Sequence, residues 1–132
     1  MKVLIIGGGA SGMMAALSAA EDGSNRVMLL ERQGRVGRKL LATGNGRCNL
    51  TNRNAAPEHY HSADTARLAD ILERTPPDAV LDFFGEMGLL CDTQADGRVY
   101  PYCYQASMVL DVLRAALERA GVDVACSCEV AE

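Results

Sequence analysis

At 132 residues, 48% of them hydrophobic and 23% charged, the chain has the size and composition of one globular domain with its own core. It holds no apolar run of about eighteen residues, which excludes an ordinary membrane-spanning helix. Its short apolar start runs straight into glycines, unlike a secretory leader, so a cytoplasmic location with no membrane partner is expected. The net charge is −4, yet residues 26–53 hold seven cations against the single acid Glu31. A basic band in an acidic chain suits a specific anionic ligand more than a nucleic-acid surface, although charge alone reads first as a solvated basic loop.

In chain order, residues 2–6 are short, apolar and β-branched, the pattern of a buried parallel strand. A helix is predicted from Ser11 to about Asp22. Ala15, Ala16, Ala19 and Ala20 give it a small-residue face for close packing, and Gly23 ends it. A second apolar strand runs from Arg26 to Glu31, which completes a β-α-β unit over 1–32. Residues 33–56 form a glycine-, arginine- and asparagine-rich loop with a short helix near Gly37–Ala42. Long loops after such a unit are usually functional. An insert over 57–105 follows. It contains a helix at 64–74 with Leu68, Ile71 and Leu72 inward, then a helix capped by Asp78 with Val80, Leu81, Phe84 and Met87 as its stripe. A hairpin of Leu89–Thr93 and Arg98–Tyr100 turns around Asp96-Gly97. Over 106–130, Ser107 caps an amphipathic helix with Val109, Leu113, Ala116, Leu117 and Ala120 on one face, and a strand is expected over Val122–Val130. Three parallel strands are fewer than the five or six usual in doubly wound sheets, so the chain is expected to be the N-terminal part of a longer protein.

Gly7-Gly8-Gly9-Ala10-Ser11-Gly12 reads G-x-G-x-x-G. Gly7 permits the tight turn out of the strand, Gly9 leaves the backbone open to a pyrophosphate, and Gly12 allows the helix to pack closely on the strand. The amides at 9–12, Ala10 and Ser11 among them, are first-turn donors that the helix dipole aims at anions. Glu31 lies nineteen residues past Gly12 at the end of the second strand, where a carboxylate accepts from ribose hydroxyls. An acid there disfavours a 2′-phosphate, which leaves NAD and FAD as the candidate dinucleotides.

The segment from Gly34 to Asn52 mixes flexible main-chain donors with cations, which suits a diphosphate and a polar ring. From Gly37 to Asn52 it closely resembles the signature G-(R/K)-K-(L/I)-L-x-(S/T)-G-x-G-R-C-N-x-T-N of the bacterial flavoproteins that include BaiN and the aminoacetone oxidases. Asn45 stands where that family more often has glycine. Arg98-Val-Tyr-Pro101 and Gln105-Ala-Ser107 resemble a further family stretch.

The resemblance implies a Rossmann-like α/β fold of the glutathione-reductase type, a parallel sheet flanked by helices with a small β-hairpin, binding FAD. It implies that Gly7, Gly9, Ser11 and Gly12 hold the pyrophosphate and Glu31 the adenosine ribose. Arg32, Arg38, Lys39, Thr43, Gly44, Asn45, Gly46, Arg47, Cys48 and Asn49 would contribute to the cofactor site, Lys39 and the 43–49 loop lying along the ribityl chain and flavin. Val130 would meet adenine through its backbone. The implied activity is that of an FAD-dependent oxidoreductase acting on a small molecule, with NAD(P)H as transient electron donor in the full-length protein. Family members run several times longer, so this part alone is expected to hold the adenine half better than the flavin ring and to turn over little. The alternative is an NAD-binding domain of a dehydrogenase or redox regulator.

Other candidates carry less. Cys48 has no second cysteine within residues 49–53, which argues against a dithiol mechanism and for a packed residue near the flavin. The five cysteines include no C-x-x-C pair, so no metal site is expected, and all are read as small buried residues of a reducing compartment, with Cys126 and Cys128 on one strand face. His59 and His61 lack a third ligand and read as loop residues. Tyr100, Tyr102 and Tyr104 alternate as strand-packing residues do, although they could line a ligand surface.

Overall fold

The computed structural model describes residues 1–131. Its elements run β1 (Lys2–Ile6), α1 (Ala10–Ala20), β2 (Arg26–Leu30), a kinked 3-10 segment (Leu40–Gly46), β3 (Thr51–Asn52), α2 (Thr65–Arg74), α3 (Pro77–Glu86), β4 (Cys91–Thr93), β5 (Arg98–Pro101), α4 (Ala106–Arg119) and β6 (Asp123–Ala125). β1, β2 and β6 form a parallel sheet in that spatial order. Lys2 to Ile6 lie opposite Arg26 to Leu30, and Met28 to Leu30 opposite Asp123 to Ala125.

Alternation along β2 divides its side chains between two faces. Val27 and Leu29 are buried against Met13 and Ala16 of α1 and Leu110, Leu113 and Leu117 of α4. Each of these valine, leucine and methionine side chains contributes about 1.5–3 kcal/mol through removal from water. On the opposite face Leu4, Ile6 and Met28 stay exposed, at 58%, 65% and 37%. α1 can approach β1 because Gly12 has no side chain: a Cβ there would stand 1.8 Å from the Gly7 carbonyl oxygen.

A second, antiparallel sheet has the order β3-β5-β4, with Thr51 opposite Val99 and Cys91 opposite Pro101. The Leu50 amide donates to Val99 O at 2.9 Å, which ties the end of the glycine-rich loop to this sheet. The predicted hairpin is present, its turn closed by Gly97 at φ +84°. β3 lay outside the sequence expectation because two residues carry no periodicity.

Several local expectations are corrected. Ala15 and Ala120 are exposed rather than on the packed faces, and Leu110 takes the place Ala120 was given. Ile71 is 50% exposed and α2 has no buried residue. Asp78 is not a cap: Pro76 is the N-cap residue of α3, Pro77 opens the helix, and Asp78 in the first turn pairs with Arg53. Ser107 lies inside α4, whose N-cap residue is Gln105. The short helix expected at Gly37–Ala42 begins at Leu40, since Gly37 sits at φ +72°. The strand expected over Val122–Val130 is only Asp123–Ala125; Ser127 at φ +54° breaks it, so Cys126 and Cys128 share no strand face and Val130 lies outside any strand. Only Cys48 of the five cysteines is buried, while Cys103 and Cys126 are exposed. Tyr100 packs in β5, but Tyr102 is 70% exposed and Tyr104 sits beyond the strand at φ +55°.

Candidate functional site

The site begins with the turn between β1 and α1. Gly7, at φ +102°, donates its amide to Leu30 O at 2.8 Å, which fixes the turn to the end of β2. The Gly8 amide donates to Glu31 Oε2 at 2.7 Å, and the Gly8 carbonyl accepts from the Gly37 amide at 2.7 Å. The first helical bond is Met13 N–H to Gly9 O at 3.0 Å. The amides of Ala10, Ser11 and Gly12 precede it, and among the described residues they have no partner. A Cβ on Gly9 would meet nothing within 4 Å, so the backbone there is open to approach.

These residues open into a cleft of about 670 Å³, within the range of about 300–1,000 Å³ seen for small-molecule sites. Gly9, Ala10 and Ser11 line one end, and Lys39, Thr43, Cys48 and Asn49 line the loop side. Of the residues singled out in the sequence, seven therefore meet in one cavity. Gly7 and Gly12 shape the turn beneath it. Glu31 stands behind the turn, and Arg32 and Arg38 are exposed outside the lining, Arg38 donating to Gln33 Oε1 at 2.9 Å. Gly44, Asn45, Gly46 and Arg47 are outside the lining, as is exposed Val130.

The apolar walls come from Met14, Leu40, Leu50, Val80, Phe84, Val109 and Leu113. No motif marks these residues. Helical periodicity singled out Val80, Phe84, Val109 and Leu113, but only as core.

The loop takes its shape from left-handed residues: Gly44 (φ +55°), Asn45 (+56°), Gly46 (+80°) and Cys48 (+58°). Asn is among the few non-glycine residues that adopt this region readily, which accounts for Asn45 at a family glycine position. The Cys48 amide closes the loop on Thr43 O at 3.0 Å, and the Thr43 hydroxyl donates to Leu40 O at 2.6 Å.

Charge is distributed unevenly around the cleft. Lys39 has no carboxylate partner among the described residues. The Gln33 amide, at 2.8 Å, and then the Gly8 amide hold the Glu31 carboxyl below the ordinary glutamate range, against the opposing effect of burial. Burial pushes the Cys48 thiol up, so it stays protonated and weakly nucleophilic at neutral pH.

The unpartnered amides, the side-chain-free approach at Gly9 and the lysine in the same cavity are the donor set that a dinucleotide diphosphate requires. Among the described residues no group of three His, Cys, Asp or Glu could hold a metal ion, and no helix is long and apolar enough to cross a membrane.

Comparison with known proteins gives the following. The family model described as HI0933-like protein Rossmann domain matches residues 1–132. A 3-dehydro-bile acid delta(4,6)-reductase of Clostridium scindens is 41% identical over 124 residues, 93% of this chain and 30% of that protein. A ribosomal RNA dihydrouridine synthase of Haemophilus influenzae is 27% identical over 130 residues, 98% of this chain and 32% of that protein. The chain thus spans about a third of the length of these curated relatives. Among solved structures, THI4 of Thermovibrio ammonificans superposes with a TM-score of 0.60 at 19% identity, covering 95% of this chain and 38% of that one, a likeness of fold.

Proposed function

The chain belongs to the HI0933-like Rossmann domain family, and from that premise we propose that it is the FAD-binding part of a flavin-dependent oxidoreductase. The observation that carries this reading is the run of free first-turn amides at Ala10, Ser11 and Gly12, the first two of these residues lining the cleft that Lys39 shares.

In this reading those amides and the α1 dipole bind the pyrophosphate. Glu31 keeps lone pairs beyond the two bonds it accepts from Gly8 and Gln33, and these accept from the adenosine ribose. Lys39, Thr43, Cys48 and Asn49 line the path toward the ribityl chain and ring, with Arg32 and Arg38 flanking the turn. Lys39 places a cation where a reduced, anionic ring gains from it, so Lys39→Met is expected to lower the flavin potential. Phe84, Val109 and Leu113 keep water from that end of the cavity. FAD supplies hydride transfer when bound; the protein supplies position and electrostatics.

The names of the two relatives share one chemistry, addition of hydrogen across a carbon–carbon double bond conjugated with a carbonyl. We assign the complete protein a substrate that carries such a conjugated double bond, with NAD(P)H as electron donor and the cytoplasm as its location. The test is titration of the chain with FAD and with NAD, followed by flavin absorbance and fluorescence. Saturable binding of FAD at lower concentration than NAD supports the reading. Saturable binding of NAD with none of FAD makes the chain an NAD-binding domain instead.

A further inference from the structure

The basic loop contains a cation that the cleft does not use. Arg47 is half-buried and is not among the cleft-lining residues. Its guanidinium carbon sits 4.6 Å from the centroid of the Tyr100 ring, within cation–π range. Its Nε donates to Gly44 O at 3.2 Å. Tyr100 is 2% exposed in β5, and its hydroxyl accepts from Arg98 Nη1 at 3.3 Å, while Arg98 is held by Asp96 at 2.6 Å. The same ring bears on the loop backbone: a Cβ on Gly44 would stand 3.2 Å from Tyr100 Cε1.

We infer that Arg47 and Tyr100 are a clamp that holds the 43–49 loop in its binding shape before the cofactor arrives, and that Arg47 is a positioning residue rather than a contact to the diphosphate. The physical need is plain from the backbone. Four consecutive or near-consecutive left-handed residues, Gly44, Asn45, Gly46 and Cys48, are costly to hold in a single conformation. At the end of the 3-10 segment the Arg47 and Cys48 amides close on Gly44 O and Thr43 O, at 3.2 and 3.0 Å. A side chain that ties the carbonyl of Gly44 to a rigid aromatic ring in the neighbouring sheet adds a constraint that the loop's own main-chain bonds do not supply, a link to a separate element. Pre-organisation of this kind improves affinity by lowering the ordering cost of binding, without a new contact to the ligand.

This inference rests on the reading of the loop as part of the FAD site, and its test separates the two. FAD affinity is measured across a salt series for the unaltered chain and for Arg47→Met, Arg47→Lys and Tyr100→Phe, with thermal melting of each. Hydrogen exchange is followed on the chain without FAD. The clamp predicts that Arg47→Met binds FAD roughly tenfold more weakly, with an unchanged salt dependence. Tyr100→Phe, which keeps the ring, should bind within about threefold of the original, and Arg47→Lys, which keeps the cation but not the Nε–H donor to Gly44 O, should fall between the original and Arg47→Met.

In the unaltered chain the Arg47 and Cys48 amides should be protected before FAD is added. Unchanged affinity in Arg47→Met overturns the clamp. So does a loss accompanied by a weaker salt dependence, the mark of a direct contact to the diphosphate, and so does rapid exchange of both amides without FAD, which needs no variant to fold. If the unaltered chain binds no FAD at all, the cofactor reading itself fails and the clamp falls with it.

Discussion

Gly9 and Gly12 stand three residues apart in one motif, and the structure separates their roles by what surrounds them. A methyl group on Gly12 would meet the Gly7 carbonyl, a backbone atom with nowhere to move, whereas one on Gly9 meets nothing. Gly12→Ala should therefore destabilise the fold by about 3 kcal/mol, or prevent folding. Gly9→Ala should melt within roughly 0.5 kcal/mol of the original yet lose FAD affinity. Thermal melting and FAD titration of the two variants check this, and equal effects on both readouts contradict it.

Glu31 carries a pH dependence with a defined sign. Its bonds from Gln33 and Gly8 stabilise the turn fully above the unfolded glutamate pKa of about 4.3, and their contribution is lost as the pH falls through the lower folded value. Glu31→Gln should flatten the acid limb of the melting-temperature profile. An acid limb as steep as the original assigns that dependence to other carboxylates. The glycine roles were legible in the sequence because each follows from the lack of a side chain. The bond from Gly8 to Glu31 was not, because the motif presents Glu31 only as a ribose acceptor and its hold on the turn depends on three-dimensional proximity.

At the scale of elements, α4 serves both the core and the site. Leu113 is 1% exposed, packs within the main core and lines the cleft. Leu113→Ala should cost about 2–5 kcal/mol by leaving a cavity, measured by denaturant unfolding, and a cost below about 1 kcal/mol would mean that the helix packs elsewhere. The β-α-β unit, the hairpin and α4 were all legible because their periodicities run for several residues. Helix ends were less so. Asp78 and Ser107 have the chemistry of caps, but Pro76 and Gln105 occupy those places. The last strand was over-extended because valine and cysteine favour strands in any context, whereas Ser127 turns left-handed there. The loop's basic and glycine content was visible, but the partition of Lys39 toward the cleft and Arg47 toward Tyr100 depends on a ring fifty-three residues downstream.

Across the whole molecule, the residues proposed for the diphosphate and ribose of FAD lie within 7–31, while the chain spans about a third of its curated relatives. Leu4, Ile6 and Met28 leave one face of the parallel sheet exposed, although parallel sheets are ordinarily covered on both faces. The site residues present predict unequal affinity for the two halves of the cofactor. ADP should displace FAD from the chain and FMN should not, as read by competition titration. Displacement by FMN alone would place the binding energy at the ring end.

Amide-resolved NMR during FAD titration reports whether the free amides at the start of α1 grip a diphosphate. The account predicts that the Ala10, Ser11 and Gly12 amides shift and saturate together, at the same FAD concentration as the flavin absorbance change. Saturable FAD binding that leaves those three amides unmoved would contradict it.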